Sequence, residues 1–276
     1  MGVLSNKVER ENLKPGDHIY SWRLAYAYSH HGIYVNKGCV IHFTRGEGQK
    51  IGTGTGLDHI IGSSLTQHPL DNPCPICGNQ SRSDGVIYSC IDCFLSGGDL
   101  YRYEYGVTPA FFLVKARGGT CTRASSESEE QVIHRAFYFL RKGFGVYNVV
   151  KNNCEDFALC CKTGLKVNPT DNVGQSGQAT SFLAVAGAFR SVPLTYLARF
   201  LRLGYAATSV AGLAASCGTY CVNRYINDIG VRRDVMRVVL EEQKWFEWSK
   251  PFYVSTTTLC GTLAALSGNT RYLVAE

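Results

Sequence analysis

The sequence predicts an α+β fold, with strands gathered in the N-terminal half and helices after them. Three observations carry this. Alternating, β-rich runs with turn residues between them fill the first 45 positions. A capped, amphipathic helical pattern occupies residues 125–143. A second capped apolar run begins at Asn152. Leu13-Lys14-Pro15-Gly16-Asp17 reads as a turn, and His18–Arg23 alternates like a strand after it. Gly32–Val35 and Cys39–Phe43 flank Asn36-Lys37-Gly38, which makes a hairpin. Residues 45–72 carry glycines without the spacing of a phosphate-cradling loop, so they read as a loop and nucleotide binding has no support. Asp99–Tyr105 resumes the sheet, and Phe111–Val114 reads as a further short strand. Ser125-Ser126-Glu127-Ser128-Glu129-Glu130 opens the first long helix. Val132, Ile133, Ala136, Phe137 and Leu140 form its apolar face, and Arg141-Lys142-Gly143 end it.

Of 276 residues, 45% are hydrophobic and 18% charged, enough for a sizeable core. The net charge of +6 suits an anionic lipid surface as well as a nucleic acid and selects neither. The start lacks the apolar core of a secretory signal, and twelve cysteines without such a signal point to reduced thiols in the cytosol. Gly2, with Ser5 and Lys7 behind it, approaches an N-myristoylation site, although Asn6 stands where Ser or Thr is usual.

The chemistry concentrates in Asn152-Asn153-Cys154-Glu155-Asp156-Phe157. Two asparagines are good N-caps, so Cys154 falls in the first helical turn, where unpaired N–H groups and the dipole are expected to lower its pKa. A nucleophile needs a base. The hairpin turn near Lys37 brings His42 opposite or one place from His30 and His31. A one-residue slip exchanges the faces, so spacing alone does not choose between the two. Cys74-x2-Cys77 and Cys90-x2-Cys93 form two knuckles twelve residues apart, suited to a closed four-thiolate structural zinc site; a redox pair and merely packed thiols are the rivals.

The segments L-K-P-G-D-H-I, S-H-H-G-I-Y-V, V-I-H-F, the S-E-S-E-E helix and N-N-C-E-D-F-A, in this order, resemble the lecithin:retinol acyltransferase family over roughly residues 13–165. Plant LRAT-domain (NC-domain) proteins resemble the chain most, cysteine-rich insertion included. The resemblance implies a permuted papain-like fold, an antiparallel sheet packed on the helix with the cysteine nucleophile. It selects His30 over His31 as general base and acid, gives His42 the task of orienting that ring, and makes Cys154 the nucleophile of a thioester acyl-enzyme formed from glycerophospholipid esters. No catalytic cofactor is implied; a phospholipid or acyl-lipid substrate and a membrane surface are the expected partners, and a nucleic acid is not. His31 replaces the family's usual Trp, and Asp156 its usual His. An amidase or peptidase-like thiol hydrolase, and an idle membrane-associated scaffold built on the four-cysteine module, are the competing readings.

The expected domains are 1–168, catalytic with an insertion at 68–98; 169–178, a linker; and 179–276, a mainly helical C-terminal region. Leu203–Val222 is uncharged and long enough to span a bilayer, but its small, weakly hydrophobic residues favour a membrane-surface or core-packed helix. Val231–Trp248 reads as an amphipathic helix. The expected location is cytoplasmic, peripheral to or anchored at an intracellular membrane.

Overall fold

The computed structural model describes residues 6–23, 28–45, 74–78, 85–115, 117–148, 152–167, 176–177, 217–238 and 240. Gly2, residues 46–73 and most of 168–216 lie outside them. The fold is α+β. Strands β1 (His18–Arg23), β2 (Tyr28–Asn36), β3 (Cys39–Thr44), β4 (Gly85–Cys90) and β5 (Tyr101–Arg102) form one antiparallel sheet in the order β4-β3-β2-β1-β5. The expected hairpin is β2–β3. Its tip carries positive φ at Lys37 (40°) and Gly38 (79°), as a tight turn matching the strand twist requires.

Every residue of β3 is buried, because helices and loops cover both faces of the sheet. One face carries Ile33, Val35, Ile41, Phe43 and Tyr88. They pack against helices α3 (Glu129–Lys142), through Val132, Ala136 and Phe139, and α4 (Cys154–Thr163), through Phe157, Ala158, Cys160 and Cys161. Fully burying a side chain such as Phe43 or Phe157 contributes about 1.5–3 kcal/mol. The opposite face carries Ile19 and Val40, under the short helix α1 (Ile91–Leu95) with its Phe94 and Leu95. The Ile91 N–H donates to the Gly38 carbonyl (2.7 Å), which ties α1 to the hairpin tip.

Gly32 is where this second face is tightest. A Cβ there would lie 2.7 Å from Val40 Cγ1, 2.9 Å from Phe94 Cε2 and 3.1 Å from His42 Cβ. Gly32→Ala is therefore expected to destabilise the protein by about 1–3 kcal/mol, read as a fall in the denaturant midpoint; an unchanged midpoint would mean that α1 is not seated as described.

Three elements differ from the sequence reading. Phe111–Val114 is helical, within α2 (Pro109–Val114): Thr108 caps it by accepting from the Phe111 N–H (3.3 Å) and Pro109 fits its first turn, so local capping outweighs the β-rich composition. The strand expected over Asp99–Tyr105 shortens to β5. Part of Val231–Trp248 is also extended. Val235–Arg237 forms β7, antiparallel to β6 (Leu165–Val167) directly after α4, because the Asp228 turn (Val231 N to Asp228 O, 2.8 Å) delivers the chain to that edge; residues 241–248 lie outside the described part. Residues 217–226 are helical (α5), and the buried Arg224 donates from α5 to the carbonyls of Phe112 and Lys115. Among the described residues no helix is long and apolar enough to cross a membrane.

Candidate active site

The register settles which histidine faces His42. Gly32 pairs with His42, so His30, two residues along β2, shares its face and His31 points to the other. His30 Nε2 lies 2.9 Å from His42 Nδ1, with the rings at 87°, and His42 Nε2 lies 2.8 Å from Ser89 Oγ on β4. One consistent proton arrangement has His30 Nε2–H donating to His42 and His42 Nε2–H donating to Ser89. It leaves the lone pair of His30 on Nδ1, a buried atom with no hydrogen-bond partner. Phe94 of α1 packs on both rings, at 5.3 and 5.4 Å. The buried Arg23 donates to Ser21 Oγ (2.9 Å) and to the carbonyls of Phe94 and Leu95, which fixes the end of α1. Burial, then the neighbouring His42, Arg23 and His31 charges, holds His30 well below its ordinary pKa; burial and Arg23 push His42 down to about 3. Both rings are neutral at pH 7.

Cys154 is the first residue of α4. Asn153 caps the helix, its Oδ1 accepting from the N–H groups of Glu155 (2.9 Å) and Asp156 (3.1 Å), and Asp156 Oδ2 accepts from the Asn153 N–H (2.8 Å). This is a capping box, and it accounts for Asp156: a short carboxylate closes the first turn. The Cys154 thiol donates to the Ser29 carbonyl (3.8 Å), one residue before His30, and accepts from Tyr147 OH (3.9 Å). The sulfur thus stands against the β2 backbone at Ser29, and no hydrogen bond joins it to His30 or His42, whose rings lie on the α1 side of the sheet. The expected low thiol pKa is corrected. Burial pushes Cys154 up to about 12, outweighing the downward pull of the His31 backbone and Tyr147. The resting pair is a thiol and a neutral imidazole.

A second histidine chain runs on the α4 side of the sheet. Tyr105 OH meets His18 Nδ1 at 2.6 Å, His18 Nε2 meets His31 Nδ1 at 2.8 Å, and His31 Nε2 meets Ser29 Oγ at 2.8 Å. Tyr103 stacks on His18 and Tyr20 on His31. Sequence reasoning missed this chain. The available signal was that His18, aligned antiparallel to Ile33, and His31 share a parity opposite to that of His30. Glu155 was missed too. Fully buried, it accepts from Ser176 Oγ (2.7 Å) and the Gly177 N–H (3.0 Å), so part of the segment read as a linker is anchored beside the cysteine.

Cys74, Cys77, Cys90 and Cys93 come together, their sulfurs all within 4.8 Å of one another and all four buried. Separations of 3.8 Å (Cys74–Cys90 and Cys77–Cys90) and 3.4 Å (Cys77–Cys93) are far from a disulfide and close to the edge of about 3.8 Å that a tetrahedron of sulfurs at about 2.3 Å from zinc requires. The donor set therefore fits a four-thiolate metal ion. Hydrogen bonds within the cluster hold the Cys90 thiol far below its ordinary pKa and push Cys77 up to about 12 and Cys93 up as well, so without a metal the negative charge of the cluster sits on Cys90.

The sequence profile described as Lecithin retinol acyltransferase matches residues 11–167, which spans the whole sheet, α3, α4 and β6. The chain is 52% identical over 244 residues to the Arabidopsis thaliana protein LEAD-SENSITIVE 1, covering 88% of this chain and 90% of that protein. No solved structure matches. Motif order, sheet and extended sequence similarity agree, and the chain belongs to the lecithin retinol acyltransferase family.

Proposed function

We propose that the protein is a cysteine-dependent acyl hydrolase or acyltransferase that takes an acyl group from glycerophospholipid esters onto Cys154. The observation that carries this is the Ser89–His42–His30 chain, which ends in an unpartnered His30 Nδ1 next to the β2 residue that holds the Cys154 thiol. Histidine strands preceding the cysteine helix support a permuted papain-like arrangement. Because the thiol is protonated and the imidazole neutral, attack and proton transfer go together. The Cys154 S–H proton passes to His30 Nδ1 as sulfur bonds to the ester carbonyl carbon. The C–O bond to the glycerol oxygen then breaks, and that oxygen leaves with the proton from His30. Water, or an acceptor alcohol or amine, attacks the thioester carbon and gives a proton to His30; the C–S bond then breaks and that proton passes from His30 to sulfur, restoring the thiol. His42 accepts from His30 Nε2–H and keeps the ring oriented. The positive dipole end at the start of α4 favours negative charge on the attacked oxygen.

A lipid substrate puts the protein at a membrane surface, as a peripheral protein of the cytoplasmic side, with Gly2 and residues 203–222 as its attachment points. The four thiolates hold a structural zinc that takes no part in the acyl steps. The reading is tested by incubating the full chain with phospholipid vesicles, alongside matched amide substrates, and mapping acyl mass by peptide. Acylation of Cys154 is expected, and Cys154→Ser should lower turnover about a thousandfold or more. If Cys154→Ala is acylated and hydrolyses lipid like the parent, the reading is wrong.

A further inference from the structure

The four-cysteine cluster and the histidine pair are parts of one continuous segment. Ser89, the hydrogen-bond partner of His42, directly precedes Cys90. Cys90 Sγ caps α1 by accepting from the Cys93 N–H (3.4 Å), and Phe94, packed on both rings, directly follows Cys93. The carbonyls of Phe94 and Leu95 receive Arg23. Cys74 and Cys77 reach this segment from a separate knuckle, closed by Gly78 N to Cys74 O at 2.8 Å. Within the cluster their sulfurs meet the sulfurs of Cys90 and Cys93. The helix is five residues long, too short to hold its place unaided.

We propose that a zinc-type divalent cation bound by Cys74, Cys77, Cys90 and Cys93 positions the catalytic histidine pair. By clamping Ser89–Phe94, it keeps Ser89 on His42 and Phe94 over both rings. The cation touches no substrate; the cysteines act through Ser89 and Phe94 and are positioning residues. That the pair is catalytic rests on the function proposed above; that its environment depends on the metal does not.

The test uses the purified full chain and two readouts. One is metal content with acyl transfer. The other is modification of each histidine by diethyl pyrocarbonate, mapped by mass spectrometry, with half-buried His134 as internal control. About one zinc per chain is expected. Chelator stripping, or Cys77→Ser, which removes a ligand without touching the Cys90 cap, should raise modification of His30 and His42 about tenfold or more and lower acyl transfer about a hundredfold. His18 and His31, on the other face, should stay protected. Re-addition of zinc to stripped parent protein should restore both readouts. A parent free of metal would overturn the proposal, as would metal loss that leaves His30 and His42 protected. Exposure of all four histidines together would also overturn it, because the metal would then hold the whole fold. Metal-dependent protection in a parent without acyl transfer would leave this proposal standing and sink the enzymatic reading instead.

Discussion

His30→Asn is expected to lower acyl transfer by about a hundredfold to ten-thousandfold with little change in stability, whereas His31→Gln is expected to do the reverse. The two residues are adjacent, yet β2 sends them to opposite faces. His30 ends the Ser89–His42 chain with an unpartnered nitrogen. His31 is enclosed between His18, Ser29 and the Tyr20 ring. Removing His31 breaks a buried chain whose remaining members lose a partner, a loss of about 1–3 kcal/mol, and should leave acyl transfer within a few-fold. Turnover and denaturant midpoints measured on both variants decide the matter. Parental activity in His30→Asn together with an inactive, stable His31→Gln would reverse the assignment.

Mild acid is expected to unfold the protein steeply. His18, His30, His31 and His42 are all held below their ordinary pKa of 6.5, mainly by burial, with His31 and His42 at about 3. As pH falls through 6.5 the unfolded chain takes up protons on these rings and the native chain does not. Stability therefore decreases with falling pH, by roughly 1–2 kcal/mol per pH unit for each fully depressed histidine. The loss stops growing only once pH passes the folded pKa values. Four such groups remove about 5 kcal/mol per unit below pH 6, against a total stability of about 5–15 kcal/mol. Denaturant midpoints at pH 7.5, 6 and 5 should fall progressively, with spontaneous unfolding near pH 5. Equal midpoints at pH 7.5 and 5 would mean that the rings protonate without leaving the fold.

The hairpin, the cap at Asn153 and the helix over 129–142 were legible because each is written locally, in turn residues, a capping asparagine and a 3.6-residue period. The pairing of His30 with His42 was nearly legible: spacing put three histidines in range, and one residue of register separated the right face from the wrong one. The thiol pKa was not legible. A helix start argues for a low value, but the burial that reverses it comes from β2 and other parts of the chain distant in sequence closing over the helix start. Phe111–Val114 and Val235–Arg237 misled in opposite directions and for different reasons, one governed by a neighbouring Thr-Pro cap and the other by a strand about seventy residues away.

The pairing of β6 with β7 bears on where the working unit ends. The family match stops at residue 167, the last residue of β6. A fragment cut there would lose the whole partner strand of β6, the Arg224 guanidinium that satisfies the carbonyls of Phe112 and Lys115, and the Ser176 hydroxyl on Glu155. The segment shared with the family and the cooperative folding unit are therefore different lengths of chain. In this protein the tail past the family boundary is a mortise that the cysteine helix is already cut to receive, so the two have to be exchanged, truncated or grafted together.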